Sequence, residues 1–309
     1  MSANPSATAT AAATARPPAV GGGPRLGKLS AAFDGSGAGW LLAPPIIFLG
    51  VLLVVPIVYL VILALEPTFS EQTGINEVMG DQRFWEALWR TFTLAAVVAV
   101  LTLVLGTLYA IALAVAPRWL AIVMLVALFT IFWTSLLVRT YGWMLLYLPE
   151  GGLYTFLHAV GLRDQPLDVF QTNFASYPAM VHVMLPFVVF PVFAATRQLD
   201  PMQIRAARVL GARPPLILWK IVLPALRAGM AAGGVLVFVM SLGFYVTPTL
   251  LGSQTKPLVA SMIGQAFHAP GQAPAAASMS LVLLVVVIVV YVIADRVFRV
   301  SETWGAEQK

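Results

Sequence analysis

The chain has 309 residues, of which 60% are hydrophobic and 10% charged, with a formal net charge of +5. About a quarter of the residues of a soluble domain are charged, so this composition excludes that class and indicates an integral membrane protein. Without cysteine, disulfides and thiolate metal sites are excluded. The three histidines, His158, His182 and His268, lie far apart in sequence and show no ligand spacing, so we expect no metal site.

Residues 1–39 are predicted to form a disordered cytoplasmic tail, because residues 1–28 are rich in Ala, Thr, Pro and Gly. The tail lacks the charged start and apolar core of a secretory signal. Residues 22–29 match the spacing of a phosphate-binding loop, but Leu29 replaces the Ser or Thr that holds magnesium. A flexible linker is therefore favoured over a nucleotide site, and any ATPase is expected on another polypeptide.

The rest of the chain up to residue 297 is predicted to be an all-α membrane domain. A transmembrane helix needs about 20 apolar residues, whereas a barrel would show many short alternating segments. The six predicted transmembrane helices are 40–65, 91–116, 120–147, 177–196, 229–251 and 276–297.

The distribution of charge predicts the orientation. The loop 197–228 contains six basic residues and one acidic residue, Asp200, whereas the loop 66–90 is predominantly acidic. By the positive-inside rule the basic loop is cytoplasmic. Six spans then place both termini in the cytoplasm, including the tail 298–309. This topology explains the net charge without a nucleic-acid partner.

Several spans contain residues that distort helices, and these have two interpretations. They are either bends in packing helices or parts of a pore-lining or gating segment. The residues are Pro44, Pro45, Pro56, Pro186, Pro191, Gly243 and Pro248. Gly229 and Gly233 form a small-xxx-small pair, which predicts close helix packing.

The segment 148–176 is predicted to lie outside the membrane. Its apolar residues recur at near-helical spacing, which indicates a short amphipathic helix at the outer interface. Such a surface is also suited to a soluble partner.

A short helix is predicted inside the cytoplasmic loop. Asp200 and Pro201 form a favourable helix start, and Gly211 a favourable stop. Arg205 and Arg208 are predicted to face water. The same helix offers a small apolar surface made of Met202, Ala206, Val209 and Leu210. A compact helix of this kind fits a groove on another protein.

At these residues the chain resembles the permease subunits of binding-protein-dependent ABC transporters. Their cytoplasmic signature is Glu-Ala-Ala, three residues, Gly, nine residues, then Ile-x-Leu-Pro. The residues that match it here are Ala206, Ala207, Gly211, Ile221, Leu223 and Pro224. Arg205 departs from the family, since it stands where Glu is usual. The resemblance implies a type I importer fold and an ATPase-coupling role for these residues together with Arg205 and Arg208.

A second stretch, residues 132–142, is similar to the third span of spermidine/putrescine-type permeases. It contains Phe-Trp-Thr followed by Arg-x-Tyr-Gly. The resemblance implies a polyamine as the transported solute, with phosphonate or ferric iron as alternatives. It also implies a bacterial inner-membrane location among membrane lipids. The implied partners are a cytoplasmic ABC ATPase dimer that binds ATP and magnesium, a second and different permease chain, and a soluble solute-binding protein. No cofactor is expected on this chain.

Six residues are candidates for the translocation path. Arg139 lies in or near an apolar span, where a charge costs about 2.5–3.5 kcal/mol on insertion scales. It is expected either to face the bundle interior or to bond carbonyls near the outer interface. The aromatic candidates form either a lining that attracts ammonium groups or an interfacial belt. They are Trp133, Tyr141, Trp143, Phe244 and Tyr245.

The acidic residues argue against a complete cation path within this chain. Glu66, Glu150 and Asp295 all lie close to span boundaries. A polyamine would therefore need carboxylates from the second permease, or only a transient aromatic path.

Two other classes of protein fit the sequence less well. A secondary ion-coupled transporter predicts a midplane ion site and often internal repeats, and the sequence contains neither a repeat nor a midplane carboxylate. An intramembrane enzyme needs a buried nucleophile or a metal motif, and only isolated Ser and His residues are present.

Overall fold

Helices form the regular secondary structure in the residues that the computed structural model describes, which are 38–67, 73–162 and 164–298. An isolated antiparallel bridge between Pro67 and Thr73 joins the ends of one gap. The predicted tails lie almost wholly outside the described residues, as does the phosphate-loop-like stretch 22–29. In chain order the helices are α1 (Ala38–Leu65), α2 (Gly74–Gly80), α3 (Gln82–Val115), α4 (Arg118–Trp133), α5 (Leu136–Tyr147), α6 (Gly152–Ala159), α7 (Asn173–Thr196), α8 (Pro201–Val209), α9 (Pro214–Ile217), α10 (Leu223–Leu242), α11 (Val246–Leu251), α12 (Val259–His268) and α13 (Ala273–Phe298).

The predicted membrane spans are largely confirmed. Within the described residues, five helical segments are long and apolar enough to cross a membrane, and a bent pair of helices makes up to six. Helices α1, α3, α7 and α13 correspond to the first, second, fourth and sixth predicted spans. The three prolines of α1, Pro44, Pro45 and Pro56, lie inside one unbroken helix.

The third predicted span, 120–147, is divided into two helices. Helices α4 and α5 meet at an angle of 102°. The Thr134 hydroxyl donates a hydrogen bond to the Thr130 carbonyl at 2.7 Å, and the Thr130 hydroxyl donates to the Val126 carbonyl at 2.8 Å. Hydroxyls bonded to carbonyls four residues earlier bend helices, and Thr134 itself has extended backbone angles.

The fifth span was predicted over 229–251, and both of its ends are different. The apolar segment begins at Pro214, passes through a π-helical turn (Leu218–Val222) and ends at Leu242. The helix stops at Gly243, and α11 follows as a separate short helix. Pro248 explains the interruption, because its ring would clash with the carbonyl of Phe244 in a continuous helix.

The main core lies where α3, α7 and α10 pack together. Val98, Met184 and Leu226, one from each helix, are fully buried there. A Cβ atom on Gly229 would lie 2.5 Å from the carbonyl oxygen of Pro191, and one on Gly233 would lie 3.0 Å from the Cα of Val188. The predicted close packing at both glycines is therefore present, between α10 and α7.

Two smaller clusters surround this core. One joins α2, α3, α12 and α13 around Phe84 and Val259. The other joins α5, α7 and α11 around Tyr147 and Leu251. Polar contacts connect the same helices, including a buried contact of 3.3 Å between the hydroxyls of Thr140 and Thr247. The short helix predicted in 148–176 is present as α6.

Candidate functional site

Helix α8 corresponds to the short helix predicted in the loop 197–228, and its N-terminus is capped as the sequence indicates. Asp200 precedes it in an extended conformation, and its Oδ1 accepts a hydrogen bond from the backbone N–H of Met202 at 2.8 Å. Pro201 occupies the first helical position, where a missing N–H has no cost. The helix therefore begins at a defined residue without support from another part of the fold.

The end of α8 is a Schellman motif. Gly211 has a φ of +80°, the left-handed conformation that glycine adopts without strain. The N–H of Gly211 donates to the Arg208 carbonyl, and the N–H of Ala212 donates to the Ala207 carbonyl, both at 3.0 Å. This motif satisfies carbonyls that would otherwise end the helix unpaired, and it reverses the chain towards α9.

The surface of α8 is open along its length. None of its residues is buried within the chain, and Val209 and the adjacent Leu210 are each 86% exposed. Arg205 and Arg208 are also exposed. Isolated exposed apolar side chains are ordinary, but a contiguous exposed apolar patch marks an interaction site.

The segment after α8 extends this surface. Pro214 and Pro215 start α9, and the chain then enters the membrane span through the π-helical turn. Trp219 on that turn is 69% exposed and borders an open depression together with Gly211 and Leu216. Trp219 was not among the predicted site residues, although a tryptophan in a basic loop is a usable signal in the sequence.

The predicted coupling residues lie on one continuous segment. It runs from α8 through the depression to the base of α10. Ile221 and Leu223 are half-buried at that base, and Pro224 is exposed. The segment is covalently continuous with α7 at one end and with α10 at the other, the two helices that pack most closely against α3. Helix α8 is therefore linked by short segments to two helices of the main core.

A cavity of about 1060 Å³ opens between α3, α5 and α7, and its walls are overwhelmingly apolar. Trp143 borders it, and its Nε1–H donates a hydrogen bond to Nδ1 of His182 at 3.3 Å. Trp143 also stacks on Tyr147, with ring centroids 5.4 Å apart. Tyr109, on another wall, donates from its hydroxyl to the Met124 carbonyl at 2.7 Å. His182 and Tyr109 line the cavity but were not among the predicted site residues.

The other five candidate path residues do not join Trp143 in one lining within this chain. Trp133 is 87% exposed at the end of α4, and Tyr141 is about half exposed. Phe244 packs against the main core, and Tyr245 lies against Gly264 on α12. Arg139 is half-buried, and its Nε atom has no hydrogen-bond partner among the described residues.

Within the described residues, no group of three or more His, Asp or Glu side chains lies close enough together to hold a metal ion. Glu66 and Glu150 lie just beyond helix ends, and Asp295 lies in the last turn of α13. The lining of the apolar cavity includes aromatic rings and one imidazole, but no carboxylate among the described residues.

The chain is similar to bacterial transport permease proteins, although no family model matches it. It is 31% identical over 183 residues to the spermidine/putrescine transport system permease protein PotB of Escherichia coli (strain K12), covering 59% of this chain and 66% of that protein. It is 32% identical over 166 residues to the inner membrane ABC transporter permease protein YdcU of the same organism, covering 48% and 51% of the two chains. The chain thus spans less than two thirds of the length of these curated relatives.

Solved structures share the fold. A chain of a bacterial ABC transporter that imports the acidic polysaccharide alginate aligns with a TM-score of 0.73 and 17% identity, over 88% of this chain and 98% of that one. The same transporter in complex with an alginate pentasaccharide-bound periplasmic protein gives 0.72 and 17%, over 88% and 96%. The predicted all-α membrane fold and the resemblance to ABC transporter permeases of the spermidine/putrescine type are confirmed.

Proposed function

We propose that this chain is a transmembrane permease subunit of an ATP-driven ABC importer. It forms half of a translocation pathway, and it is not itself an enzyme. The observation that carries the proposal is the α8 segment, an exposed and capped helix with the family's spacing, inserted between two core helices of an importer-type fold.

The proposed partners follow from the surfaces of the chain. A cytoplasmic ATPase dimer, which binds ATP and magnesium, receives α8. A second and different permease chain forms the other half of the pathway, and a soluble solute-binding protein docks on the outer side. The complex lies in a bacterial inner membrane with both termini in the cytoplasm, because the basic loop 197–228 is then inside.

Arg205 places a positive charge at the proposed contact with the ATPase. It is exposed on α8, and Arg208 lies three residues away, so the two guanidinium groups are neighbours on the helix surface. Permease relatives usually have Glu at the position of Arg205. The proposed ATPase groove therefore presents a carboxylate to Arg205 and is more acidic than in those relatives.

The proposed solute is a polyamine, supported by the similarity to PotB and by the aromatic residues near the cavity. Trp143 on the cavity wall offers a ring to an ammonium group, and Trp133 and Tyr141 are exposed. The candidate path in this chain lacks an acidic side chain. The carboxylates that balance a dication are thus assigned to the second permease, and selectivity largely to the binding protein.

Solute uptake by cells tests both the assignment to an ABC importer and the assignment of a polyamine as the solute. Cells lacking this chain, and the same cells complemented with it, are compared for uptake of radiolabelled spermidine, putrescine, 2-aminoethylphosphonate and ferric iron. The proposal predicts that spermidine or putrescine uptake needs the chain and stops when ATP is depleted. Uptake of another solute alone would overturn the polyamine assignment, and uptake that depends on an ion gradient instead of ATP would overturn the importer.

A further inference from the structure

A second large groove lies away from the candidate path, on the outside of the bundle. It is about 930 Å³ in volume and is formed by α3, α10 and α13 with the π-helical turn. Each helix contributes side chains spaced three, four and seven residues apart, so each presents one face to the groove. On α3 these are Ala96, Ala99, Val100 and Leu103. Small side chains on all three helices leave a hollow where larger ones would fill it.

The two ends of the groove differ in chemistry. Arg227 is the one charged residue among the described residues that line it, and Trp219 lies beyond it at the same end. The remaining lining is almost entirely apolar. Arg227 is exposed and forms no hydrogen bond or ion pair with the described residues. Its guanidinium is thus available to a ligand.

The part of the groove between Arg227 and Phe238 matches one leaflet of a bilayer in length. Phe238 is the last lining residue on α10 and follows Arg227 by eleven residues, or about 16 Å of helix. The hydrocarbon core of a bilayer is about 30 Å thick, so this distance is about half of it. Tryptophan is enriched at membrane–water interfaces, and Trp219 lies at the same end of the groove as Arg227.

We propose that this groove binds an anionic phospholipid, with an acyl chain along the apolar hollow and the phosphate at Arg227. The charge selects the ligand, because arginine forms paired hydrogen bonds with phosphate oxygens. A zwitterionic lipid fills the hollow equally well but carries a positive group beside the phosphate. The lipid site is separate from the proposed transport function. It rests on that proposal in one respect, because the proposed topology makes this leaflet the cytoplasmic one.

Native mass spectrometry of the transporter, purified with its partners and exchanged into equal amounts of phosphatidylglycerol and phosphatidylcholine, tests the site. We expect phosphatidylglycerol to be retained roughly fivefold over phosphatidylcholine, the effect of about one basic residue. Arg227→Gln should remove this preference, and Arg227→Lys should keep most of it. Ala231→Phe, which fills the hollow, should lower retention of both lipids.

Two matched controls separate the site from general effects. Arg118→Gln removes an exposed charge at the start of α4, and Leu236→Phe enlarges an exposed residue of α10 outside the groove. Both should behave as wild type. Equal retention of the two lipids by the wild type, or an equal effect of Arg118→Gln and Arg227→Gln, would overturn the proposal.

The other possible occupant is a helix of a second permease chain. Because the chain has no native cysteine, Ala231→Cys gives a single thiol for cross-linking in the membrane. Efficient cross-linking to a companion permease would assign the groove to a protein interface and overturn the lipid site. These experiments read lipid and contact directly, so their outcome is independent of whether the transported solute is a polyamine.

Discussion

Trp143 on α5 donates its indole hydrogen to Nδ1 of His182 on α7, across a distance of 3.3 Å. A histidine that accepts at Nδ1 is neutral and has its proton on Nε2. The contact therefore orients the imidazole and leaves Nε2–H as a donor. Since both residues border the cavity between α3, α5 and α7, the pair sets the polarity of one of its walls.

Trp143→Phe is predicted to remove the hydrogen bond between α5 and α7 while preserving an aromatic ring. The loss of one hydrogen bond to a partly buried partner should lower the free energy of unfolding by about 0.5–1.5 kcal/mol. Thermal unfolding of the protein in nanodiscs measures this change in the free energy of unfolding. A double-mutant cycle with His182→Phe should give a coupling energy of similar size. Strictly additive effects of the two substitutions would show that the bond contributes nothing.

Asp200→Ala is predicted to impair coupling, because it removes the acceptor for the Met202 N–H and costs about 0.5–2 kcal/mol of helix stability. The expected result is that ATP hydrolysis by the assembled transporter responds less to solute. Asp200→Asn is the matched control, since an amide oxygen caps equally well. If Asp200→Asn were as defective as Asp200→Ala, the carboxylate charge and not the cap would be responsible.

Gly211→Ala is predicted to disturb the end of α8. The φ of +80° costs a residue with a Cβ about 1–2 kcal/mol, although there is free space around the position. Uptake per inserted protein should fall while insertion is unchanged. Gly80→Ala, at a position with equal space and without a positive φ, should leave uptake unaltered. Normal uptake by Gly211→Ala would contradict the coupling role of the Schellman motif.

Gly229→Ala is predicted to force α10 away from α7. The added methyl group would lie 2.5 Å from the Pro191 carbonyl oxygen, and overpacking of this kind costs about 1–3 kcal/mol. The midpoint of thermal unfolding should fall accordingly. Gly234→Ala is the control on the same helix, because its Cβ would make an ordinary 3.7 Å contact with Leu103. Equal midpoints for the two variants would argue against close packing at Gly229.

Arg205→Glu is predicted to weaken association with the ATPase by introducing repulsion with the proposed acidic groove. Co-purification of the ATPase at moderate salt measures the effect. Arg118→Glu reverses an exposed charge at the start of α4, outside the α8 segment, and should have no effect. Unchanged co-purification of Arg205→Glu would exclude an acidic partner for this side chain.

The sequence predicted α8 closely because its signals are local. Asp200, Pro201 and Gly211 each determine the backbone within a few residues, independently of the rest of the fold. Most of the apolar spans were also predicted, since their length is set by the bilayer, but the break in the third span and the ends of the fifth were not.

Two kinds of feature were not predicted: a local break whose signal is ambiguous, and contacts between residues distant in sequence. The break between α4 and α5 depends on hydroxyls that satisfy carbonyls of their own helix, and such hydroxyls also occur in straight helices. His182 becomes a cavity residue only because α5 and α7 pack side by side, which no spacing in the sequence indicates. The aromatic candidates were predicted from residue type alone, and of these five residues Trp143 is the one that lines the cavity.

Affinity purification of this chain from its native membrane, followed by identification of the co-purifying proteins, tests the central claim most directly. The account predicts recovery of a soluble ABC ATPase together with a second permease chain. Recovery of neither, combined with uptake that collapses when the proton or sodium gradient is removed, would contradict it and indicate a secondary transporter.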